Sequence, residues 1–351
     1  TCEDTPTTGN VALNDSDLDG PVISITKVSG PNFGTIILNT NGTYTYTPNA
    51  NYNGRDTVLY SYCDLGTPNL CDTASLYILI TPVNDSTAKD QTVQCDGSGN
   101  TAQLATWLAS NGGATPGDSC YNCTWTNNYT GLSDGCGNTG VATVTFTLKY
   151  DCGTRNTTAT FRIIDTVPPT TTPAKDKTVD CDGAGNAAAL AAWLASNGGA
   201  AASDICSGVK WTNNYTGLSD GCGATGNATV TFTATDSCGN ATSTTATFTI
   251  IDTIAPTIDT EAKDKTVDCD GAGNTAALAA WLASNGGASA SDICSGVKWS
   301  NNYTGLSDGC GATGNATVTF TATDSCGNAT STTATFTIID TIAPTIDTEA
   351  K

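Results

Sequence analysis

The side chains with the greatest chemical potential in this sequence are its cysteines and aspartates. The 351 residues include 16 cysteines and 33 acidic residues, and histidine is absent. Glutamate occurs only as Glu3, Glu261 and Glu349, so nearly all of the acid is aspartate. The lack of histidine removes the commonest general base, the usual catalytic triads and most zinc sites. The composition therefore predicts cross-links and oxygen-ligated cations, and it predicts that the protein is not an enzyme.

Most of the cysteines recur at fixed intervals along the chain. Cys181, Cys206, Cys222 and Cys238 return after 88 residues (269 − 181), and the same set lies 86 residues earlier (181 − 95). Four cysteines per repeat, without histidine or paired Cys-x-x-Cys motifs, indicate two disulfides in each repeat, with three pairings open. Such bonds are typical of oxidising, extracellular compartments. The repeat cysteines assigned to disulfides are Cys95, Cys120, Cys136, Cys152, Cys181, Cys206, Cys222, Cys238, Cys269, Cys294, Cys310 and Cys326.

Four further cysteines fall outside this pattern. Cys63 and Cys71 flank a turn between two strand-like segments, so we expect them to close a hairpin. Cys2 is left to pair with sequence upstream of the chain. Cys123 is left free, or it alters the pairing in its own repeat.

One aspartate motif resembles the first half of a calcium loop. Asp15, Asp17 and Asp19 alternate along the chain, and a glycine suited to a sharp turn follows them. The twelfth position of an EF-hand loop would be Thr26 and not a glutamate, so this is not an EF-hand. We expect calcium here, with Asp64 or Asp85 completing the ligand shell; the alternative is a solvated turn.

Other aspartates stand at predicted loop ends within the repeats, where they can share a calcium ion or act as turn and cap residues. Calcium held between modules would stiffen an otherwise hinged linker. In residues 86–172, Tyr150 replaces the equivalent of Asp236, which weakens any site there. The predicted calcium ligands of the repeats are Asp182, Asp204, Asp236, Asp252, Asp270, Asp292, Asp324 and Asp340.

The elements that must position these groups are tandem repeats. Residues 173–260 and 261–348 differ at only four positions, which are 173/261, 187/275, 201/289 and 212/300. Residues 86–172 are a diverged copy, and residues 1–85 are unrelated in detail. The predicted domains are 1–85, 86–172, 173–260 and 261–351, the last including the start of a further repeat. Near-identical neighbours are typical of a spacer or stalk, and the chain is expected to be an interior piece of a longer protein.

Local patterns within a repeat predict strands and one short helix. Residues 187–196 carry an apolar stripe at i, i+3 and i+4, and residues 229–235 alternate apolar and threonine positions. Asn186 is expected to cap the helix. We predict an all-β fold of Ig-like β-sandwich modules end to end, with one short helix inserted in each of modules 2–4. No apolar segment approaches the length of a membrane span.

Two sets of motifs carry a family resemblance. Residues 14–20, 41–54 and 81–85 of the first module resemble the bacterial cadherin-like or Ig-like tandem repeat. The other three modules look like HYR-type Ig-like repeats, through residues 230–240 and 251–256. Their helix-containing form resembles repeats of the giant SprB-type surface adhesins of gliding Bacteroidota.

The resemblance implies a function and a location. It implies export by the type IX pathway, display as a surface filament outside the bacterial outer membrane, and a role in gliding motility and attachment. The expected partners are neighbouring repeats and, through the parent adhesin, an external surface or polysaccharide. The resemblance also implies O-glycosylation where Asp-Thr precedes an apolar residue, at Thr57, Thr73, Thr166, Thr253 and Thr341.

Two other roles remain open: a structural stalk or surface-layer spacer, and carbohydrate-binding accessory modules of a larger secreted enzyme. The net charge of −20 argues against nucleic acid and against anionic membrane surfaces as partners, since both select basic proteins.

Overall fold

The computed structural model describes residues 1–18, 24–64, 66–82, 86–117, 123–150 and 153–347. The chain divides into two compact units, of which the first holds Thr1–Val167 with Ile205–Ser207 and the second holds Pro168–Asp204 with Gly208–Lys351. Strands dominate both units and only short helices interrupt them, which confirms the predicted all-β class of tandem Ig-like modules. Among the described residues, no helix is long and apolar enough to cross a membrane.

The first module is a sandwich of two three-stranded sheets, ordered β1-β4-β3 and β2-β5-β6. Its strands are β1 Thr7–Asn10, β2 Ser24–Ser29, β3 Gly34–Leu38, β4 Thr43–Pro48, β5 Gly54–Cys63 and β6 Cys71–Ile80. Tyr46 and Val58 are fully buried between the sheets. Asp56 is buried beside them, and its carboxylate accepts hydrogen bonds from the Tyr46 hydroxyl (2.8 Å) and the Phe33 N–H (2.9 Å). This aspartate therefore ties a loop to the core.

Each repeat forms one four-stranded sheet that is covered by a short helix. The strand of the sheet that comes first along the chain pairs in parallel with the strand that comes last along the chain. The diverged copy contains β7 Gln91–Gln94, α1 Thr101–Ala109, β8 Thr124–Asn127, β9 Gly140–Tyr150 and β10 Gly153–Ile164. Strand β11 Thr170–Thr171 precedes the next copy, which contains β12 Lys177–Asp180, α2 Ala187–Ala195, β13 Ala202–Ser203, β14 Val209–Asn213, β15 Gly226–Asp236 and β16 Ala241–Ile251, and β11 pairs with β13. Strand β17 Thr257–Thr260 likewise precedes the last copy, which contains β18 Lys265–Asp268, α3 Thr275–Ala283, β19 Ser289–Ser291, β20 Lys298–Asn301, β21 Gly314–Thr323 and β22 Ala329–Ile339, and β17 pairs with β19.

Alternation along the strands places the apolar side chains of each repeat under its helix. In β15, Val230, Phe232 and Ala234 are all fully buried. Trp193 of α2 packs edge-on against Phe232, with ring centroids 5.2 Å apart, and its indole N–H donates to the Lys175 carbonyl (3.0 Å). The predicted apolar stripe is therefore core, as the spacing indicates.

The start of the helix differs from its predicted cap. Asn186 occupies the N-cap position in a left-handed conformation (φ 50°), but its side chain makes no capping hydrogen bond. Its amide donates instead to the Asp180 carbonyl (2.8 Å). The Asp182 carboxylate organises the preceding turn by accepting the Ala184 and Asn186 N–H groups at 2.8 and 2.9 Å. The side chains of Asp182 and Asn186 therefore form hydrogen bonds within the turn before the helix, and the Asn186 side chain does not cap the helix.

The sheet topology places the four cysteines of a repeat at its two opposite ends. Cys181 lies where β16 ends, because its N–H donates to the carbonyl of Ile251, the last residue of that strand (2.8 Å). Cys222 lies at the same end, because it precedes β15, whose start pairs with the end of β16. Cys238 lies in the turn that joins β15 to β16 at the other end, and Cys206 precedes β14, whose start pairs with the end of β15. β15 contains 11 residues and spans roughly 35 Å. A disulfide cannot bridge that distance.

Candidate functional site

Two disulfides join the repeat at 173–260 to the repeat at 261–348 within the second unit. Cys181 is bonded to Cys294 and Cys222 to Cys326, with Cα atoms 6.0 and 5.2 Å apart. The expectation that each repeat closes its own disulfides is therefore wrong for these cysteines. The length of the sheet excludes a bond between opposite ends of one repeat, and at their shared end Cys181 and Cys222 each lie next to a cysteine of the following repeat.

The first unit contains a bond of the same kind. Cys95 of the diverged copy is bonded to Cys206, 111 residues along the chain. Asn138 supports this link, because its N–H donates to the Cys206 carbonyl (2.8 Å) and its side-chain amide donates to the Gly97 carbonyl (3.1 Å). Cys136 and Cys238, at the positions of Cys222 and Cys326, are each disulfide-bonded as well.

The cysteines outside the repeat pattern are also placed. A disulfide joins Cys63 to Cys71 between the paired ends of β5 and β6. Cys2 and Cys123 are disulfide-bonded within this chain, so the upstream partner expected for Cys2 and the free thiol considered for Cys123 are both wrong.

The remaining cysteines divide into two groups. Cys269 and Cys310 of the last repeat are free thiols, which contradicts their assignment to disulfides. Their equivalents Cys181 and Cys222 are bonded to Cys294 and Cys326 of the following repeat. Cys120 and Cys152 lie outside the described residues.

The two repeats approach so closely at this junction that glycine is required. A Cβ added at Gly183 would lie 2.6 Å from the Ile293 carbonyl oxygen, and one at Gly223 would lie 2.6 Å from the Cys294 carbonyl oxygen. Both glycines also have positive φ, a region that L side chains rarely adopt. Next to Gly223, the Ala224 N–H donates to the Cys294 carbonyl (2.9 Å). Backbone contacts thus position the sulfur atoms for cross-linking.

Three carboxylates meet beside the disulfides. Oxygen atoms of Asp252, Asp292 and Asp324 all lie within 4.8 Å of one another. Asp252 belongs to the segment that leads from one repeat to the next, and the other two belong to the cysteine-containing loops of the next repeat. The Asn328 side chain donates to both the Asp252 carbonyl (3.1 Å) and the Asp324 carboxylate (2.8 Å). The sequence therefore brings acidic groups from both repeats to one point.

The hydrogen bonds of these carboxylates leave one of them unsatisfied. Asp324 accepts three backbone N–H groups, which outweigh its burial and lower its pKa. Asp292 accepts the N–H groups of Cys294 and Ser295, both at 2.9 Å. Among the described residues, Asp252 accepts only the Ile254 N–H, and its second oxygen is buried without a hydrogen-bond partner there.

The electrostatics of Asp252 follow from this arrangement. Burial raises its pKa, and the neighbouring charges of Asp292, Asp324 and Asp180 raise it further. A cation bound among the three oxygens would relieve both effects. Oxygen ligands of this kind suit calcium, so the residues present fit the ion that the sequence predicts.

The other predicted ligands of the repeats do not belong to this cluster of Asp252, Asp292 and Asp324. Asp182 and Asp270 are exposed turn residues, and the backbone N–H groups that they accept lower their pKa values. Asp236 accepts the N–H groups of its own hairpin turn, which outweigh its burial and lower its pKa. Asp204 is half-buried directly after β13, and Asp340 is exposed.

The calcium motif of the first module is only partly described. Asp15 accepts a hydrogen bond from the Tyr60 hydroxyl (3.2 Å), and Asp17 is half-buried nearby. Asp64 accepts the N–H groups of two residues in its own hairpin loop. Among the described residues, no group of three close metal-binding side chains includes these aspartates. Asp19 and Asp85 lie outside the described residues.

The five threonines of the Asp-Thr pattern are all exposed. The hydroxyl groups of three of them already donate to side chains: Thr166 to Gln94 (3.0 Å), Thr253 to Asp180 (2.7 Å) and Thr341 to Asp268. Thr57 and Thr73 lie on strands β5 and β6. These two are the more accessible candidates for a glycan.

Sequence reasoning missed the groups that align the repeats. Gly183, Gly223 and Asn328 all lie in stretches that resemble ordinary turns, and only their contacts with the neighbouring repeat distinguish them. The available signal was the recurrence of Asp-Ser-Cys-Gly-Asn as a fixed block around Cys238 and Cys326.

A comparison with known families agrees with the fold of the first module. Residues 1–79 match the family described as Bacterial Ig domain. Drosophila N-cadherin EC1-4 is similar at 11% identity and a TM-score of 0.26, over 94% of this chain and 95% of that one. The human Desmocollin-1 ectodomain is similar at 12% identity and a TM-score of 0.26, over 98% of this chain and 78% of that one. A search of curated proteins finds no match.

The fold and the cross-links define a class of protein. The chain carries Ig-like repeats joined by disulfides, an arrangement typical of extracellular or surface proteins. Such repeats are ordinarily non-enzymatic.

Proposed function

We propose that this chain is a repeat segment of a filamentous bacterial cell-surface adhesin of the SprB type, serving attachment and gliding motility. Its role is mechanical: it extends an adhesive region away from the cell and transmits load, without catalysis of its own. The observation that carries the proposal is the pair of disulfides that join one repeat to the next, Cys181–Cys294 and Cys222–Cys326.

The mechanical consequence follows from where these bonds lie. They close loops of 113 and 104 residues, each of which includes most of a folded repeat. Tension applied to the chain passes across the sulfur atoms, so the strands inside the loop are not pulled apart. A repeat that unfolds within such a loop adds no length to the filament. This is the behaviour that a load-bearing tether requires.

Calcium supplements the covalent links in this proposal. Asp252, Asp292 and Asp324 would supply carboxylate oxygens to one ion, and the ion would supply positive charge where three acidic groups meet. Asp252 would contribute the oxygen that has no hydrogen-bond partner. The ion and the disulfides then restrain the same junction through different chemistry.

The location and partners form part of the same proposal. The chain would reach the exterior of the outer membrane by type IX export, and Thr57 and Thr73 would carry O-linked glycans. Other parts of the parent protein would bind the external surface or polysaccharide. The HYR-like motifs at 230–240 and 251–256 support this assignment.

The test is immunolabelling of the bacterium that encodes the chain. Antibodies against residues 173–260 should label intact cells, and the label should move along the surface of gliding cells. Label that appears only after permeabilisation contradicts the proposal. Glycan-array binding by this chain alone would instead favour carbohydrate-binding accessory modules.

A further inference from the structure

The last repeat presents two free thiols at one end of its sheet. Cys269 is half-buried and Cys310 is exposed, and neither is bonded. They occupy the positions of Cys181 and Cys222, each of which is bonded to the following repeat. The two near-identical repeats therefore allow the same surface to be compared with its cysteines bonded and with its cysteines free.

We define the trailing face of a repeat as the surface around its first and third cysteines. In the repeat at 173–260 the trailing face consists of Cys181, Gly183, Cys222, Gly223 and Asp252, and in the last repeat it consists of Cys269, Gly271, Cys310, Gly311 and Asp340. None of the four sequence differences between the repeats falls on these positions. Any difference between the two faces is therefore a difference in what covers them.

The trailing face is covered in one repeat and bare in the other. A Cβ at Gly183 would collide with Ile293, whereas a Cβ at Gly271 would meet no atom of the described residues within 4 Å. Gly311 is likewise open. Cys181 is 5% exposed, while its equivalent Cys269 is half-buried.

Two loops of the following repeat form the cover. They are residues 292–296, Asp-Ile-Cys-Ser-Gly, and residues 324–328, Asp-Ser-Cys-Gly-Asn, and we call them the leading loops. They contribute the partner cysteines, the Cys294 carbonyl that accepts from Ala224, and the Asn328 side chain that donates to Asp252. The trailing face of the last repeat has identical residues, so the same two loops would fit against it.

We propose that the trailing face of the last repeat is a docking and cross-linking site for the leading loops of a further repeat of this same sequence. The incoming repeat would form two disulfides, with Cys269 and Cys310, and would place its two loop aspartates against Asp340. The cover over Gly271 and Gly311 would match the cover over Gly183 and Gly223.

The cross-linking step has a defined balance. Each new S–S bond removes two protons and two electrons from a pair of thiols. A disulfide oxidant accepts them and is released as two thiols, and oxidised glutathione serves as the probe. The docking contacts align the sulfur atoms before exchange.

The inference deepens the proposed function and rests on it, because it names the partner of the surface that joins consecutive repeats. The experiment uses the full chain and an extended chain in which residues 264–351 follow once more after residue 351, because residues 349–351 already repeat residues 261–263. One exposed substitution in each of its two cysteine-containing tryptic peptides marks the added copy, so both peptides have distinct masses. Both proteins are refolded with oxidised glutathione, alkylated, and mapped without reduction.

In the original chain, Cys269 and Cys310 should be alkylated. In the extended chain they should become linked to the second and fourth cysteines of the added copy, and alkylation should move to the first and third cysteines of that copy. The control carries serine at the second and fourth cysteines of the added copy, and it should restore alkylation of Cys269 and Cys310.

Pairing of the four added cysteines among themselves would overturn the inference, as would a bond between Cys269 and Cys310. The bond between Cys181 and Cys294 is read from the same digest. Its presence together with free Cys269 would refute the inference alone, whereas its absence would refute the proposed function.

Discussion

Stretching the chain tests the mechanical role of the junction most sharply. The perturbation replaces Cys181, Cys222, Cys294 and Cys326 with serine, and the assay is single-molecule force spectroscopy with handles at the two termini. In the folded protein the Cα atoms of Cys222 and Cys326 are 5.2 Å apart, although 104 residues separate them. A fully extended chain spans about 3.5 Å per residue, so this segment reaches roughly 360 Å once it is free to unfold.

The oxidised native chain should show none of that length, because the disulfide holds the ends of the segment together. The serine variant should show about 360 Å more total extension. The matched control replaces Cys63 and Cys71, whose disulfide spans only 8 residues and hides at most about 28 Å. Equal extension of the native chain and the four-serine variant would refute the reasoning.

Further predictions concern the contacts around the junction and the core. Gly183→Ala should lower the melting temperature of the second unit more than Gly271→Ala does, as thermal melts would show. Both glycines have a positive φ, but only at Gly183 would the added Cβ lie 2.6 Å from a carbonyl oxygen. Calcium should raise the melting temperature more at neutral pH than near pH 4, because protonated Asp252 cannot bind the ion. Asp252→Asn should reduce the rise in melting temperature that calcium causes, whereas Asp340→Asn should not. Without calcium, stability should fall as pH rises through the raised pKa of Asp252, since deprotonation is costlier in the folded state. Phe232→Ala should cost about 3–5 kcal/mol in chemical denaturation.

Local pattern was sufficient to predict most of each repeat. Alternation placed Val230, Phe232 and Ala234 in a core, and helical spacing placed Trp193 over them. These features depend on neighbours within a few residues along the chain, so periodicity reports them directly.

The pairing of the cysteines depends on a longer-range fact. The parallel pairing of β12 with β16 sets Cys181 at the end of the sheet where the repeat finishes, and no local pattern encodes that register. Since every repeat has the same four cysteines, pairing within repeats and pairing between repeats both give two disulfides per repeat, so the sequence does not distinguish them. The acidic cluster was missed as a set for the same reason, because Asp252 meets Asp292 and Asp324 only after the repeats are joined.

Non-reducing tryptic mapping of the native chain tests the central claim most directly. Cleavage after Lys177, Lys210, Lys265 and Lys298 releases residues 178–210, with Cys181 and Cys206, and residues 266–298, with Cys269 and Cys294. A covalent link between these two peptides through Cys181 and Cys294 is the predicted result, and Cys206 should also hold the peptide that contains Cys95. Recovery of residues 178–210 alone, closed by a bond between Cys181 and Cys206, would contradict the account.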